Sequence, residues 1–193
     1  MPHINYRDRE IVFKIVYYGP GMSGKTTNLV YIHRSIDKDR RGDIIMLDTE
    51  EERTLFFDFF PLELGEVGGY AIRFNMYTVP GQVYYEASRR LIVDGADGIV
   101  FVADSQGTRL QENIESFRSL QENLQGFGRD WRDVPIVMQY NKRDLPDILP
   151  VGIIEEHLGL NGVPVFEAIA TKGDGVMETI RLASREVIQR FHL

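Results

Sequence analysis

Residues 18–28 read Tyr18-Gly19-Pro20-Gly21-Met22-Ser23-Gly24-Lys25-Thr26-Thr27-Asn28. Gly19, Gly24, Lys25 and Thr26 fit the spacing G-x-x-x-x-G-K-[ST] of a phosphate-binding loop. Glycines let the backbone curl so that successive N–H groups face one polyphosphate, and the helix beginning at the loop adds its positive end. The pattern assigns Gly19, Gly21, Ser23, Gly24, Lys25, Thr26 and Thr27 to the phosphates. Lys25 reaches the β- and γ-phosphates, and the Thr26 hydroxyl ligates Mg²⁺. Upstream, Ile11 to Tyr18 is a β-rich run suited to a buried strand; downstream, Leu29, Ile32 and Ile36 fall at helical steps between Lys25 and Asp37. Strand, glycine turn and helix are the setting the loop needs. The plainer alternative is an ordinary glycine loop joining a strand to a helix.

Outward from this loop, further strands are expected at 44–47, 70–79, 98–104, 135–140 and 164–170. One helical stripe runs through Leu110, Ile114, Phe117, Leu120 and Leu124, another through Val176, Ile180, Ala183, Val187 and Phe191; both read as core packing. Strands alternating with helices imply an α/β fold: a mostly parallel six-stranded sheet with helices on both faces, with 44–47 and 70–79 as the antiparallel exception. Ligands of such sheets sit beyond the carboxyl ends of the strands. Candidate motifs fall there, at Gly19–Thr26, Thr78–Gln82, Asn141–Asp144 and Ile169–Thr171.

Composition sets bounds. At 193 residues, 43% hydrophobic and 26% charged, the chain is expected to form one domain with a full core. A net charge of −7 argues against general nucleic-acid binding. There is no cysteine, and the histidines at 3, 33, 157 and 192 lack metal spacing. The first ten residues are too polar for a signal peptide, and no apolar run reaches the length of a transmembrane segment. A cytoplasmic protein is expected.

Asn141-Lys142-Arg143-Asp144, the pattern N-K-x-D, resembles the base-reading motif of the Ras-like small GTPases. Asp144 can accept two hydrogen bonds from the N1–H and N2–H₂ edge of guanine, which adenine cannot supply. The resemblance makes Asn141 the tie between loops and lays the Lys142 stem over the base. Glu167 to Thr171 stands in place of the family's Ser-Ala-Lys loop, with the Ala170 N–H facing the guanine oxygen and Thr171 beside it. The γ-phosphate sensor departs from the family. Thr78-Val79-Pro80-Gly81-Gln82 replaces Asp-x-x-Gly-Gln, so Gly81 and the water-orienting Gln82 are kept, while an uncharged Thr78 replaces the carboxylate that helps hold Mg²⁺.

Blocks around the phosphate loop, Glu52–Phe59, Tyr77–Val83 and Tyr140–Pro146 narrow the resemblance to the bacterial Ras-like GTPases of cell polarity and gliding motility, over essentially the whole chain. That resemblance implies one G domain over residues 1–193, GTP and GDP as ligands, and Mg²⁺ held by Thr26 and the first-switch Thr54. It offers Arg53 as an arginine finger supplied in cis, the alternative being a solvated charge run with Glu50, Glu51 and Glu52. Asp58 could place metal, water or arginine, or be an ordinary surface carboxylate. Among Phe56, Phe57, Phe59 and Phe60, some are expected in the core and others on a nucleotide-dependent surface. The implied partners are a roadblock-domain GTPase-activating homodimer and nucleotide-dependent effectors, with room for recruitment to a cell pole or the inner membrane face. Two other readings stay open: a guanine-nucleotide scaffold with negligible hydrolysis, motivated by Thr78, and a P-loop kinase, for which no arginine-rich lid is evident.

Overall fold

The β-rich run before the glycine loop becomes the centre of a mixed sheet in the computed structural model, which describes residues 2–46, 58–80, 86–160 and 162–191. Its strands are β1 (His3–Asn5), β2 (Glu10–Tyr18), β3 (Ile45–Met46), β4 (Asp58–Val67), β5 (Tyr70–Thr78), β6 (Gly98–Asp104), β7 (Ile136–Asn141) and β8 (Val165–Glu167). They lie in the order β3-β4-β5-β2-β6-β7-β8, with β1 antiparallel to the first part of β2. β5, β2, β6, β7 and β8 are mutually parallel. Every residue of β6 and β7 is buried, as a strand covered on both faces requires.

The helices are α1 (Lys25–Ser35), α2 (Glu86–Val93), α3 (Leu110–Gly126), α4 (Ile153–Leu158) and α5 (Val176–Arg190). α1 and α5 cover one face, packing Leu29, Ile32, Ile180 and Val187 against Phe13, Ile15, Tyr17, Val100 and Val137. α2, α3 and α4 cover the other, packing Val93, Phe117, Leu120, Leu124 and Ile154 against Val16, Tyr18, Phe101, Met138 and Tyr140. Both expected helical stripes therefore point into the core. Leu110, Ile114 and Phe191 are only partly buried at the ends of those stripes.

Two expectations need correction. The described sheet has eight strands, not six, the additions being β1 and β4. The antiparallel partner of β5 is β4 rather than 44–47, which shrinks to the two residues of β3 and pairs with β4. Pro61 and the bulge between Glu63 and Gly65 interrupt the pattern of β4 and hide it from a periodicity count. The signal that does reveal it is Gly68-Gly69: both have positive φ, 59° and 80°, and close a two-residue hairpin between Val67 and Tyr70. Phe60 joins the core, as expected for part of its aromatic run.

The chain runs out to β5 on one side of β2 and then crosses back to place β6 on the other, so the sheet has a switch point at β2. The carboxyl ends of β2, β5, β6, β7 and β8 open onto one edge, and the loops after them share it. Core packing beneath that edge is tight. Phe74 on β5 is fully buried and stacked on Phe13 with centroids 5.2 Å apart. Phe74→Ala should cost about 3–5 kcal/mol by equilibrium urea unfolding, against less than about 0.5 kcal/mol for Leu91→Ala on the exposed face of α2.

Candidate functional site

Gly19, Met22 and Gly24 give the loop between β2 and α1 its curl, with φ of 138°, 62° and 99°. The glycines are also required by close approach. A Cβ on Gly19 would lie 2.2 Å from the carbonyl oxygen of Val102 in β6, and one on Gly24 would lie 2.2 Å from Asn141 Nδ2. The spacing between the two glycines is thus fixed by what the loop packs against on each side. Lys25, the first residue of α1, is buried and donates to the carbonyl oxygens of Gly19 at 2.9 Å and Pro20 at 2.6 Å. Its ammonium lies under the arch of the loop, where a polyphosphate would meet it. Thr26 is exposed at the next position and Thr27 is half-buried. Ser23 enters the site through its backbone, since its side chain is buried and its hydroxyl has no hydrogen-bond partner.

Asn141 ends β7 and is 2% exposed. Its Nδ2 donates to the Ser23 carbonyl at 2.8 Å, and its Oδ1 accepts the Ala170 N–H at 2.9 Å. One side chain therefore joins the loops after β2, β7 and β8. The Ala170 N–H, expected to face a guanine oxygen, here donates to Asn141. Thr171, the next residue, is exposed. Asp144 is exposed and its carboxylate lies 3.9 Å from Lys172, and Lys142 adopts a left-handed φ of 66°. The base loop is braced by the Arg143 N–H, which donates to the Ala168 carbonyl, and by an Arg143–Glu167 ion pair at 2.7 Å.

Tyr140 anchors the same loop from below. Its hydroxyl accepts the N–H groups of Gly152 and Ile154, at 3.0 and 2.8 Å, and donates to Glu155. Burial, and after it the hydrogen bond to the Glu155 carboxylate, push its pKa up to about 12, so the phenol stays a donor. On the same face of the sheet, Tyr18 immediately precedes the phosphate loop; burial raises the pKa of its phenol, whose oxygen lies 2.9 Å from the Ser119 hydroxyl.

Sequence reasoning missed Asp104, Arg109 and Gln139. Asp104 ends β6 with its side chain 1% exposed and 2.6 Å from Lys142 Nζ. Arg109 donates to the Gly21 carbonyl at 2.8 Å. Gln139 donates to Asn28 and Thr179, both at 3.0 Å, beneath the rim. Applying the after-strand rule to 98–104, as to the other strands, points directly to Asp104. Thr78 ends β5 and is 3% exposed. Arg53, Thr54, Phe56, Phe57, Gly81 and Gln82 fall outside the described residues, and Asp58 opens β4. Among the described residues no cluster of three or more His, Cys, Asp or Glu could hold a metal. A hard cation at this edge would draw its oxygens from hydroxyls such as that of Thr26 and from a bound polyphosphate.

A phosphate-type loop and an N-K-x-D loop thus share one edge, tied by a single asparagine. The profile of the ADP-ribosylation factor family matches residues 4–187. The chain belongs to that family of Ras-like small GTPases. It is also 50% identical over 188 residues to the mutual gliding-motility protein MglA of Myxococcus xanthus (strain DK1622), covering 97% of this chain and 96% of that protein. No helix among the described residues is long and apolar enough to cross a membrane.

For a GTPase built this way, Gly24 carries an unusual load. Gly24→Ala forces a methyl against Asn141 and a side chain into φ of 99°. Left-handed strain and the lost bond each amount to about 1–2 kcal/mol, so affinity for guanine nucleotide should fall by about tenfold or more in a fluorescent-nucleotide titration.

Proposed function

We propose that this small GTPase is a GTP-driven switch in a single G domain, hydrolysing GTP to GDP and phosphate and governing bacterial cell polarity and motility through nucleotide-dependent effector binding. The observation that carries the reading is the Asn141 bridge, whose bond to Ser23 sets the Asp144 loop beside the Lys25 loop and whose bond to Ala170 adds the loop after β8. A guanine nucleotide laid along this edge meets Asp144 at its base, with the Lys142 stem across the ring and the Ala170–Thr171 turn beside it. Its phosphates meet Gly19, Gly21, Ser23, Gly24, Lys25, Thr26 and Thr27. Lys25 must exchange its present carbonyl partners for phosphate oxygens, which offer a full charge.

Thr26 and Thr54 would hold Mg²⁺, whose chemistry when bound is to neutralise charge on the phosphate oxygens. Gly81 offers its N–H to the γ-phosphate, Gln82 orients the attacking water, and Arg53 stabilises the charge that develops on the transferred phosphoryl group. Unassisted hydrolysis is slow because these last groups need to be held in place together. A roadblock-domain homodimer of the MglB type, docking beside Arg53 and Gln82, would supply that order and accelerate turnover. The protein works in the cytoplasm, and such partners would bring it to a pole or to the inner membrane face.

A second reading is favoured by one observation. Thr78, buried at the end of β5, offers the metal no charge, which fits a guanine-nucleotide scaffold with negligible hydrolysis. Single-turnover phosphate release from bound GTP, with and without a purified MglB-like homodimer, separates the two. Acceleration by the homodimer supports the switch; no phosphate in either condition supports the scaffold.

Asp144→Asn should shift preference from guanine toward xanthine nucleotides, because the amide presents both a donor and an acceptor to the base edge. Competition between GDP and xanthosine diphosphate reads this, and unchanged guanine selectivity would remove Asp144 from the site. Gln82→Leu or Arg53→Ala should leave GTP bound while slowing partner-stimulated hydrolysis by about a hundredfold or more. Normal turnover in either variant would reassign that residue.

A further inference from the structure

Asp104 is a buried carboxylate that neither the phosphate loop nor the base loop supplies, yet it touches the machinery of both. Its Oδ2 lies 2.6 Å from Lys142 Nζ and 3.8 Å from Arg109 Nε. Arg109 in turn donates to the Gly21 carbonyl at 2.8 Å and pairs with Glu112 at 2.5 Å. We propose that Asp104 is a positioning residue for guanine nucleotide, holding Lys142 over the base at one end of the site and, through Arg109, the Gly21–Met22 peptide at the phosphate end. This rests on the reading that Asp144 meets the base and the Lys25 loop meets the phosphates.

The backbone at Asp104 does not need the carboxylate. Asn113, fully buried on α3, accepts the Asp104 N–H at 3.0 Å and donates to its carbonyl at 2.9 Å. The Gln106 N–H donates to Asp104 Oδ1 at 3.1 Å, a bond that an asparagine oxygen could accept equally well. What the charge adds is the placement of two cations. Burying a carboxylate costs several kcal/mol unless cations compensate it, so Lys142 and Arg109 are drawn to one fixed point.

The consequences differ at the two ends. Lys142 leaves β7 with a left-handed φ of 66°, and its ammonium is anchored at Asp104, so its four-carbon stem has a set direction. At the other end, a trans peptide points its C=O and N–H in opposite directions. Arg109 grips the Gly21 carbonyl and thereby turns the Met22 N–H away from itself, with Met22 held at φ of 62°. That N–H is one of the donors a loop of this kind uses for phosphate. Because the same oxygen faces both cations, the base end and the phosphate end share one buried group, with Glu112 as the second partner of Arg109.

Two affinity ratios read the two ends separately: GDP against GMP for the phosphate end, and GDP against ribose 5-diphosphate, which lacks the base, for the base end, each by competition with a fluorescent guanine nucleotide. Arg109→Ala should lower the first ratio by about fivefold to tenfold and leave the second unchanged. Lys142→Ala should lower only the second. Asp104→Asn should lower both, and adding Arg109→Ala to it should cost no further loss in the GDP-to-GMP ratio. A merely structural Asp104 would weaken all nucleotides together and leave both ratios intact, and that result overturns the proposal. If Asp104→Asn does not fold, the single Arg109 and Lys142 variants still decide: their side chains are 28% and 26% exposed, and unchanged ratios in both would overturn it equally. Wild-type protein that binds GDP no better than ADP would instead remove the reading on which the proposal stands.

Discussion

Asn141 offers its amide N–H to the Ser23 carbonyl and its oxygen to the Ala170 N–H, and because both partners are main-chain atoms the bonds do not depend on which side chains the neighbouring loops carry. The loops after β2, β7 and β8 are separate connections across a sheet edge, free to drift unless something crosses between them. A buried side chain with two satisfied bonds is costly to disrupt, since breaking either leaves a polar group without water. The demand for glycine at 24 follows directly: the amide that ties the loops occupies the space a Cβ would need.

A second tie lies one layer deeper. Gln139 sits two residues before Asn141 on β7 and therefore faces the same side of the sheet. It donates to Asn28 on α1 and to Thr179 on α5; Asn28 donates to the Gly24 carbonyl at 3.0 Å, and Thr179 to the Gly175 carbonyl at 2.6 Å. The chain of bonds runs from the last residue of the phosphate loop to the first residue before α5, parallel to the Asn141 tie above it. A fully buried network of this kind specifies one arrangement of α1 and α5, where apolar contacts alone would tolerate sliding. It carries a cost, because Gln139 Oε1 is buried with no hydrogen-bond partner.

These two layers also mark how far the sequence could be read. The phosphate loop and N-K-x-D are short contiguous patterns, so Gly19 to Thr26 and Asn141 to Asp144 could be located without any structure. The long-range cross-ties could not. Gln139 and Asn141 alternate with apolar residues in Ile136-Val137-Met138-Gln139-Tyr140-Asn141, and that alternation in a strand otherwise suited to full burial was a visible hint of polar partners on one face. Nothing local named those partners, which lie 111 and 40 residues away for Gln139. β4 was hidden for a different reason: Pro61 and a bulge at Gly65 break the two-residue period on which strand recognition depends. Asp104, a single acidic residue at the end of β6, was within reach of the after-strand rule, but its significance comes only from the cations that converge on it.

The position of Thr78 bears on how the site could gain and lose its metal. It pairs with Tyr17 at the end of β5 and is buried beside the root of the phosphate loop. A carboxylate there would carry a buried charge that only a cation could compensate, and such a site attracts metal whether or not nucleotide is present. A threonine carries no such charge, and Asp104, the buried acid at the end of β6, is already committed to Lys142 and Arg109. On the proposed reading, with Thr78 uncharged and Asp104 committed elsewhere, the nucleotide's own phosphates would supply more of the negative charge that retains Mg²⁺. Metal retention would track the phosphates more than the protein, and the rigid rim built by Asn141 and Gln139 would hold the nucleotide in place independently of the cation.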